Sequence, residues 1–242
     1  MSSERLRVLE LRHAETEPPG AYSPALDDLA DVTTVRVWRE PLPGDLGDVD
    51  AIVVMGGAMG VGDAGSLPWL AKEIDFLREA HERGVPIWGV CLGAQLLAAA
   101  LGARVTRAET PELGVHRVVL TEEGRRDPVW SATPGHEFST VQWHFDTFAL
   151  PPGAVLLGSS HECPRQIYRL GASYGVQFHI EAGESSVREW LSGPDSYAAV
   201  AAAIGDDATA AFADAAGEAE ARAGALADAV MRRWLTGIRR RG

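Results

Sequence analysis

The chain has 242 residues, 46% hydrophobic and 23% charged, enough for a sizeable core in one large α/β domain or two small ones. Its 22 basic and 34 acidic residues leave a formal net charge of −12, which gives no counterion-release drive toward nucleic acid or an anionic membrane. Lys72 is the one lysine and no G-x-x-x-x-G-K-[ST] loop exists, which excludes a P-loop nucleotide site and disfavours Schiff-base chemistry.

Residues 5–11 and 32–37 are β-rich runs, separated by a loop carrying Pro18, Pro19, Gly20 and Pro24. Residues 51–55 form a short apolar run ending in glycines, the pattern of a buried parallel strand. Pro68 opens a helix reaching about Arg83, with Leu70, Ile74, Leu77 and His81 at helical spacing and Gly84 closing it. A second buried strand spans 86–90, and a compact apolar helix spans 92–101 before Gly102. Strand, helix, strand, helix in this order predicts a doubly wound, mostly parallel sheet.

From about Val115 short β-like runs follow one another at 115–120, 154–159, 166–170 and 172–178, as antiparallel or mixed additions to that sheet. Residues 184–191 are helical in pattern. The alanine-rich 196–235 predicts two or three helices broken near Gly205 and Gly217, packed through Val200, Ile204, Leu226, Val230 and Trp234. The basic run Arg239, Arg240, Arg241 reads as a solvated tail.

No apolar run approaches the roughly 20 residues of a membrane span, and no signal-peptide apolar segment opens the chain. Two cysteines, Cys91 and Cys163, make no disulfide framework, so a reducing, cytoplasmic setting is expected. No paired C-x-x-C supports structural zinc, and neither a metal nor a cofactor is expected.

Gly89-Val90-Cys91-Leu92-Gly93 takes a buried strand into a cysteine and then directly into a helix. Small residues at 89 and 93 fit a nucleophile elbow, which presents the sulfur at the carboxyl end of the sheet. The helix N-terminus there favours thiolate and offers free N–H groups to an anion. Alone, G-x-C-x-G suits a buried structural cysteine equally well. On an extended segment His179 and Glu181 of Val176-Gln177-Phe178-His179-Ile180-Glu181 project to one face, where a carboxylate can orient an imidazole. An H-x-E pair by itself also fits a satisfied core histidine or half a metal site. The zinc deaminases use H-x-E as well, but their P-C-x-x-C partner is absent here. Cys163, beside Pro164, reads as a packed or surface thiol.

Together the Cys91 and His179–Glu181 segments, with Gly56-Gly57-Ala58-Met59 between strand and elbow, resemble the class I (triad) glutamine amidotransferases. The resemblance is closest to stand-alone proteins similar to the glutaminase domain of GMP synthase, and covers about 5–192. It implies a flavodoxin-like α/β domain over 1–193, with a helical C-terminal extension over 194–242 packed on it. It further implies that Cys91 attacks the γ-carboxamide of glutamine, His179 moves the proton and Glu181 orients His179. Gly57 and Leu92 would supply the oxyanion-hole N–H groups, and Gln95 would contact the substrate amide. Gln142-Trp143-His144-Phe145-Asp146 resembles the family's H-x-D segment, implying that Asp146 helps bind the α-ammonium; a hydrogen-bonded surface loop is the alternative. Trp69, Trp88 and Trp143 are candidates to wall the pocket or to pack the core. The family usually has proline where this chain has Ile180, a position expected to point away from the site.

The implied reaction is hydrolysis of the glutamine γ-amide through a γ-glutamyl thioester, with ammonia passed to a separate synthase subunit, for which no domain is expected in this chain. A stand-alone γ-glutamyl hydrolase or peptidase on a larger substrate is the alternative, and a non-catalytic regulatory or binding module is a third. For subunit gating, the glycines of 56–60 are expected to permit a peptide flip.

Overall fold

The computed structural model describes residues 5–239. Arg240 and Arg241 of the predicted basic tail lie outside them. Among the described residues one nine-stranded sheet is built from β1 (Leu6–Arg12), β2 (Ala30–Arg36), β3 (Ala51–Val54), β4 (Ile87–Val90), β5 (Val105–Leu120), β6 (Glu137–Phe148), β7 (Val155–Ser159), β8 (Ile167–Leu170) and β9 (Ser173–Val176). Their spatial order is β2-β1-β3-β4-β9-β8-β7-β5-β6. Pairing is parallel from β2 across to β9 and antiparallel from β9 to β6, so the expected parallel sheet with antiparallel additions is present.

The helices are α1 (Ser23–Leu29), α2 (Pro68–Glu82), α3 (Leu92–Ala100), α4 (Glu122–Arg126), α5 (Glu184–Leu191), α6 (Pro194–Ile204) and α7 (Asp206–Gly237). Strand alternation divides the core. Ile52 and Val54 enter an apolar cluster with α2 and α3, whereas Ala51, Val53 and Met55 enter one with α1 and α7. Covering both faces explains why β3 and β4 are buried at every position. A third cluster joins Leu113 and Val141 of β5 and β6 to α5, α6 and the start of α7.

Four elements depart from the sequence reading. The proline-rich loop contains α1, which Pro24 opens in its first turn, where its missing N–H costs nothing. β5 starts ten residues before the predicted run, and β6 had no predicted counterpart. Pro111 and the charged residues around it interrupt the pattern of β5, and its register against β6 shifts between Arg107 and Glu112. Finally α7 runs unbroken through Gly217. A Cβ there would lie 3.3 Å from Cβ of Glu184, a tight contact, so this glycine sits where α5 approaches α7 rather than ending the helix. No helix among the described residues is long and apolar enough to cross a membrane.

Candidate active site

β4 delivers Cys91 to the carboxyl edge of the parallel half. Cys91 adopts φ +48° and ψ −106°, and α3 begins at the next residue. A non-glycine residue in that region costs on the order of 1–3 kcal/mol and persists only where its surroundings over-determine it. Those surroundings are backbone. The Cys91 N–H donates to the Val176 carbonyl at 2.8 Å, and the Cys91 carbonyl accepts from the Gln95 N–H at 3.1 Å. A Cβ on Gly89 would sit 2.6 Å from the Gly93 carbonyl oxygen, and one on Gly93 would sit 2.2 Å from that of Val54. Both glycines therefore serve close main-chain approach, and the sulfur is held at the electropositive end of α3.

His179 follows β9 and bridges to β6, its N–H donating to the Val141 carbonyl at 2.9 Å. The chain then turns, so the pairing of His179 with Glu181 arises from a turn rather than the extended segment expected. Nδ1 of His179 donates to Oε1 of Glu181 at 2.7 Å, with both side chains buried. The Glu181 carbonyl accepts from the Ala21 N–H at 3.0 Å, and a Cβ on Gly20 (φ +52°) would lie 2.2 Å from that oxygen. Ile180 is packed into the core beneath, away from the cleft, as expected. Burial opposes the charge on His179, but Glu181 and Cys91 outweigh it and hold the imidazolium pKa well above 6.5.

Two cavities meet at Cys91 and share Gly57, Ala58, Trp143 and Ser196. The first, of about 420 Å³, collects Gly57, Leu92, Gln95, Arg107 and Asp146. The second, of about 360 Å³, collects His179 with Glu17, Glu189 and Trp190. Every residue singled out from the sequence for chemistry thus borders one or the other, except Glu181, which lies behind His179.

Gly57 and Leu92 come together closely: a Cβ on Gly57 would lie 2.9 Å from Cδ2 of Leu92 and 2.7 Å from Cβ of His13. Neither Gly56 nor Gly57 has a positive φ, so glycine is required there by space and not by an unusual backbone angle. The buried Gln95 amide donates to the Gln177 side-chain carbonyl at 3.2 Å, and the Gln177 amide in turn donates to Cys91 Sγ at 3.6 Å. Trp143 walls both cavities. Trp88 instead lies in the core against Trp130, Tyr174 and Trp234, and Trp69 packs beside His13.

Asp146 stands on β6, not on a surface loop. Its carboxylate lies 3.6 Å from the Arg107 guanidinium, which also stacks over Phe145. His144 Nδ1 donates to the Asp146 main-chain carbonyl, and His144 Nε2 meets Glu112 at 3.1 Å. Burial would raise the Glu112 carboxyl, but hydrogen bonds from His144 and Ser160 more than reverse this and hold it below the ordinary range. Glu112, His144 and the buried Cys163 bring one donor atom each within 4.8 Å of one another, a spacing that a metal ion could use. Here those atoms are engaged in hydrogen bonds that also recruit Thr147, Gln166 and the Arg165 carbonyl, and burial raises the Cys163 thiol pKa. The cluster acts as a tie that fixes Asp146 on β6 relative to β5.

Four features escaped the sequence reading. Gln177 lay inside the H-x-E segment without an assigned role. His13 donates through Nδ1 to the Met55 carbonyl at 3.0 Å, while Nε2 pairs with the wholly buried Glu73 at 3.0 Å, anchoring the segment before Gly57. Glu73 was legible only as an acidic interruption on the apolar side of α2. Glu17 is the third: a Cβ on Gly56 would lie 2.1 Å from its Oε2 and 3.1 Å from Cε1 of His179. Burial raises the Glu17 carboxyl; His179 and His13 pull it back, and Glu181 adds to the rise. Trp190 is the fourth, with its ring edge-on to both His179 and Trp143.

Residues 28–189 match the family model described as Glutamine amidotransferase class-I. The glutamine amidotransferase-like protein YfeJ of Salmonella typhimurium is 32% identical over 182 residues, covering 73% of this chain and 76% of YfeJ. GMP synthase of Lactobacillus acidophilus is 30% identical over 158 residues, but the match spans only 29% of that longer protein and 62% of this chain. A solved glutamine amidotransferase from Methylobacillus flagellatus superposes with TM-score 0.83 at 29% identity, covering 100% of this chain and 98% of that one. Another from Thermotoga maritima also gives 0.83, at 26% identity over 96% and 99%. Sequence and fold agree, and the chain belongs to the class I glutamine amidotransferase family.

Proposed function

We propose that the protein hydrolyses a γ-glutamyl amide, glutamine in the first instance, through a thioester on Cys91. The observation that carries this reading is the meeting at Cys91 of a strained elbow, the buried His179–Glu181 pair and a cavity bordered by Gly57, Leu92, Gln95 and Asp146. The Cys91 thiolate attacks the γ-carbonyl carbon, and the oxygen takes up charge against the N–H groups of Gly57 and Leu92, where one donor is worth roughly 3 kcal/mol. His179, kept protonated by Glu181, delivers its proton to the leaving nitrogen. Water then attacks the thioester, His179 accepts its proton, and glutamate departs with the thiol restored. Asp146 faces the α-ammonium, while the Gln177 amide orients the sulfur.

In this reading residues 1–193 form the catalytic domain and 194–242 a helical extension packed on it. Relatives include a glutamine-hydrolysing GMP synthase subunit from Thermococcus kodakarensis, 33% identical over 112 residues, which supports ammonia transfer to a separate synthase subunit. A cytoplasmic setting suits a reaction that needs Cys91 reduced. The test is release of glutamate and ammonia from glutamine by the purified protein, with Cys91→Ala as control. Turnover that survives Cys91→Ala would overturn the reading. A stand-alone γ-glutamyl hydrolase is the second reading, favoured by the size of the cavity on the His179 side.

A further inference from the structure

The proton that breaks the amide comes from His179, so the leaving nitrogen must face the cavity His179 lines. The γ-glutamyl half belongs in the other cavity, with Gln95 and Asp146. Ammonia needs about the space of one water, roughly 30 Å³, whereas the leaving-group side offers about 360 Å³. Its walls also carry a charge pattern. Glu17 and Glu189 both border it, and neither is paired with a lysine or arginine among the described residues. Trp143 and Trp190 stand against each other at 83°, with Trp190 also at the His179 ring. Carboxylates beside aromatic faces recognise an organic cation, through charge and the ring quadrupole together. Glu17 is the sharper element: its half-buried carboxylate reaches Gly56 and lies beside the His179 ring, on the side from which the leaving nitrogen would depart.

We infer that the second cavity is a leaving-group subsite for a primary amine that carries a further positive charge, so that γ-glutamyl monoamides of short diamines are substrates. This inference rests on the thioester chemistry proposed above. Atoms balance with water alone as co-reactant: the C–N bond breaks, His179 protonates the nitrogen, the diamine departs, and water cleaves the thioester to glutamate.

Three amides of matched length separate the alternatives. They are the γ-glutamyl monoamide of 1,3-diaminopropane (cationic), γ-glutamyl butylamide (neutral) and γ-glutamyl-β-alanine (anionic). The cationic amide should exceed the neutral one at least tenfold in kcat/KM, and the anionic one should be poorest. Glu17→Gln and Glu189→Gln should each shrink the cationic-to-neutral ratio several-fold, with thermal melts confirming that both variants fold. Equal rates for the three amides, or cleavage of glutamine alone, overturns the subsite and leaves the chemistry standing. Cleavage of none of them, glutamine included, overturns the chemistry. In that event 1,3-diaminopropane should still slow alkylation of Cys91 by iodoacetamide in the wild type more than in Glu17→Gln, and absence of such protection overturns the subsite too.

Discussion

Nδ1 of His179 lies 2.7 Å from Oε1 of Glu181, and this buried contact is what keeps a proton on an imidazole that burial alone would strip. In the proposed mechanism His179→Ala removes the proton carrier and should cost on the order of 10⁴-fold in kcat, by analogy with triad enzymes. Glu181→Gln should cost less, yet remain clearly impaired. Because the carboxylate stabilises the imidazolium, its loss lowers the His179 pKa. The alkaline limb of the kcat/KM profile should therefore move to lower pH in Glu181→Gln. Stopped-assay rates across pH 6 to 10 test this, and an unmoved limb would separate Glu181 from the proton carrier.

The two cysteines should differ sharply in reactivity. Cys91 borders both cavities at a helix N-terminus, whereas burial raises the Cys163 pKa within its hydrogen-bonded tie. A glutamine-like electrophile should label Cys91 stoichiometrically and spare Cys163, as read by peptide mass spectrometry. Labelling of Cys163 first would contradict the assignment.

The positive φ of Cys91 makes a prediction about stability that runs opposite to activity. Cys91→Ala and Cys91→Gly both delete the sulfur and should abolish turnover. Alanine keeps the strained backbone and glycine relieves it, so Cys91→Gly should be the more stable of the two by about 1 kcal/mol. Urea unfolding of both variants measures the difference. Equal midpoints would mean that the elbow stores no strain at this residue.

His13 and Glu73 should tie stability to pH. Burial lowers the His13 pKa, but the charge and hydrogen bond of Glu73 overcome it, so the folded value lies above 6.5. A raised folded pKa gives stabilisation that is full below about pH 6.5 and is lost as pH rises through the folded value. Glu73→Gln should destabilise by roughly 3 kcal/mol at pH 6 and flatten the decline toward alkaline pH. Denaturant unfolding at pH 6 and pH 9 checks both. Since His13 holds the Met55 carbonyl ahead of Gly57, the variant should also lose activity.

Local signals were enough to locate the elbow, α2, α3, α5 and the H-x-E pair. Each rests on neighbours in the chain: helical spacing, a glycine cap, or two residues kept together by one turn. The same is true of the family resemblance, since Cys91, His179 and Glu181 sit in short runs readable without knowing what lies between them. Tertiary structure alone decided the rest. β6 and most of β5 carry alternating, charge-interrupted runs whose strand character depends on each other, and on the Glu112–His144 tie. Gly217, a helix breaker by propensity, stays inside α7, where it faces the first residue of α5. Glu17 and Glu73 are ordinary acids in sequence; Glu73 becomes wholly buried and Glu17 half-buried only where distant segments close over them. Burial of a charge is a property of the folded neighbourhood, and no window of sequence contains that neighbourhood.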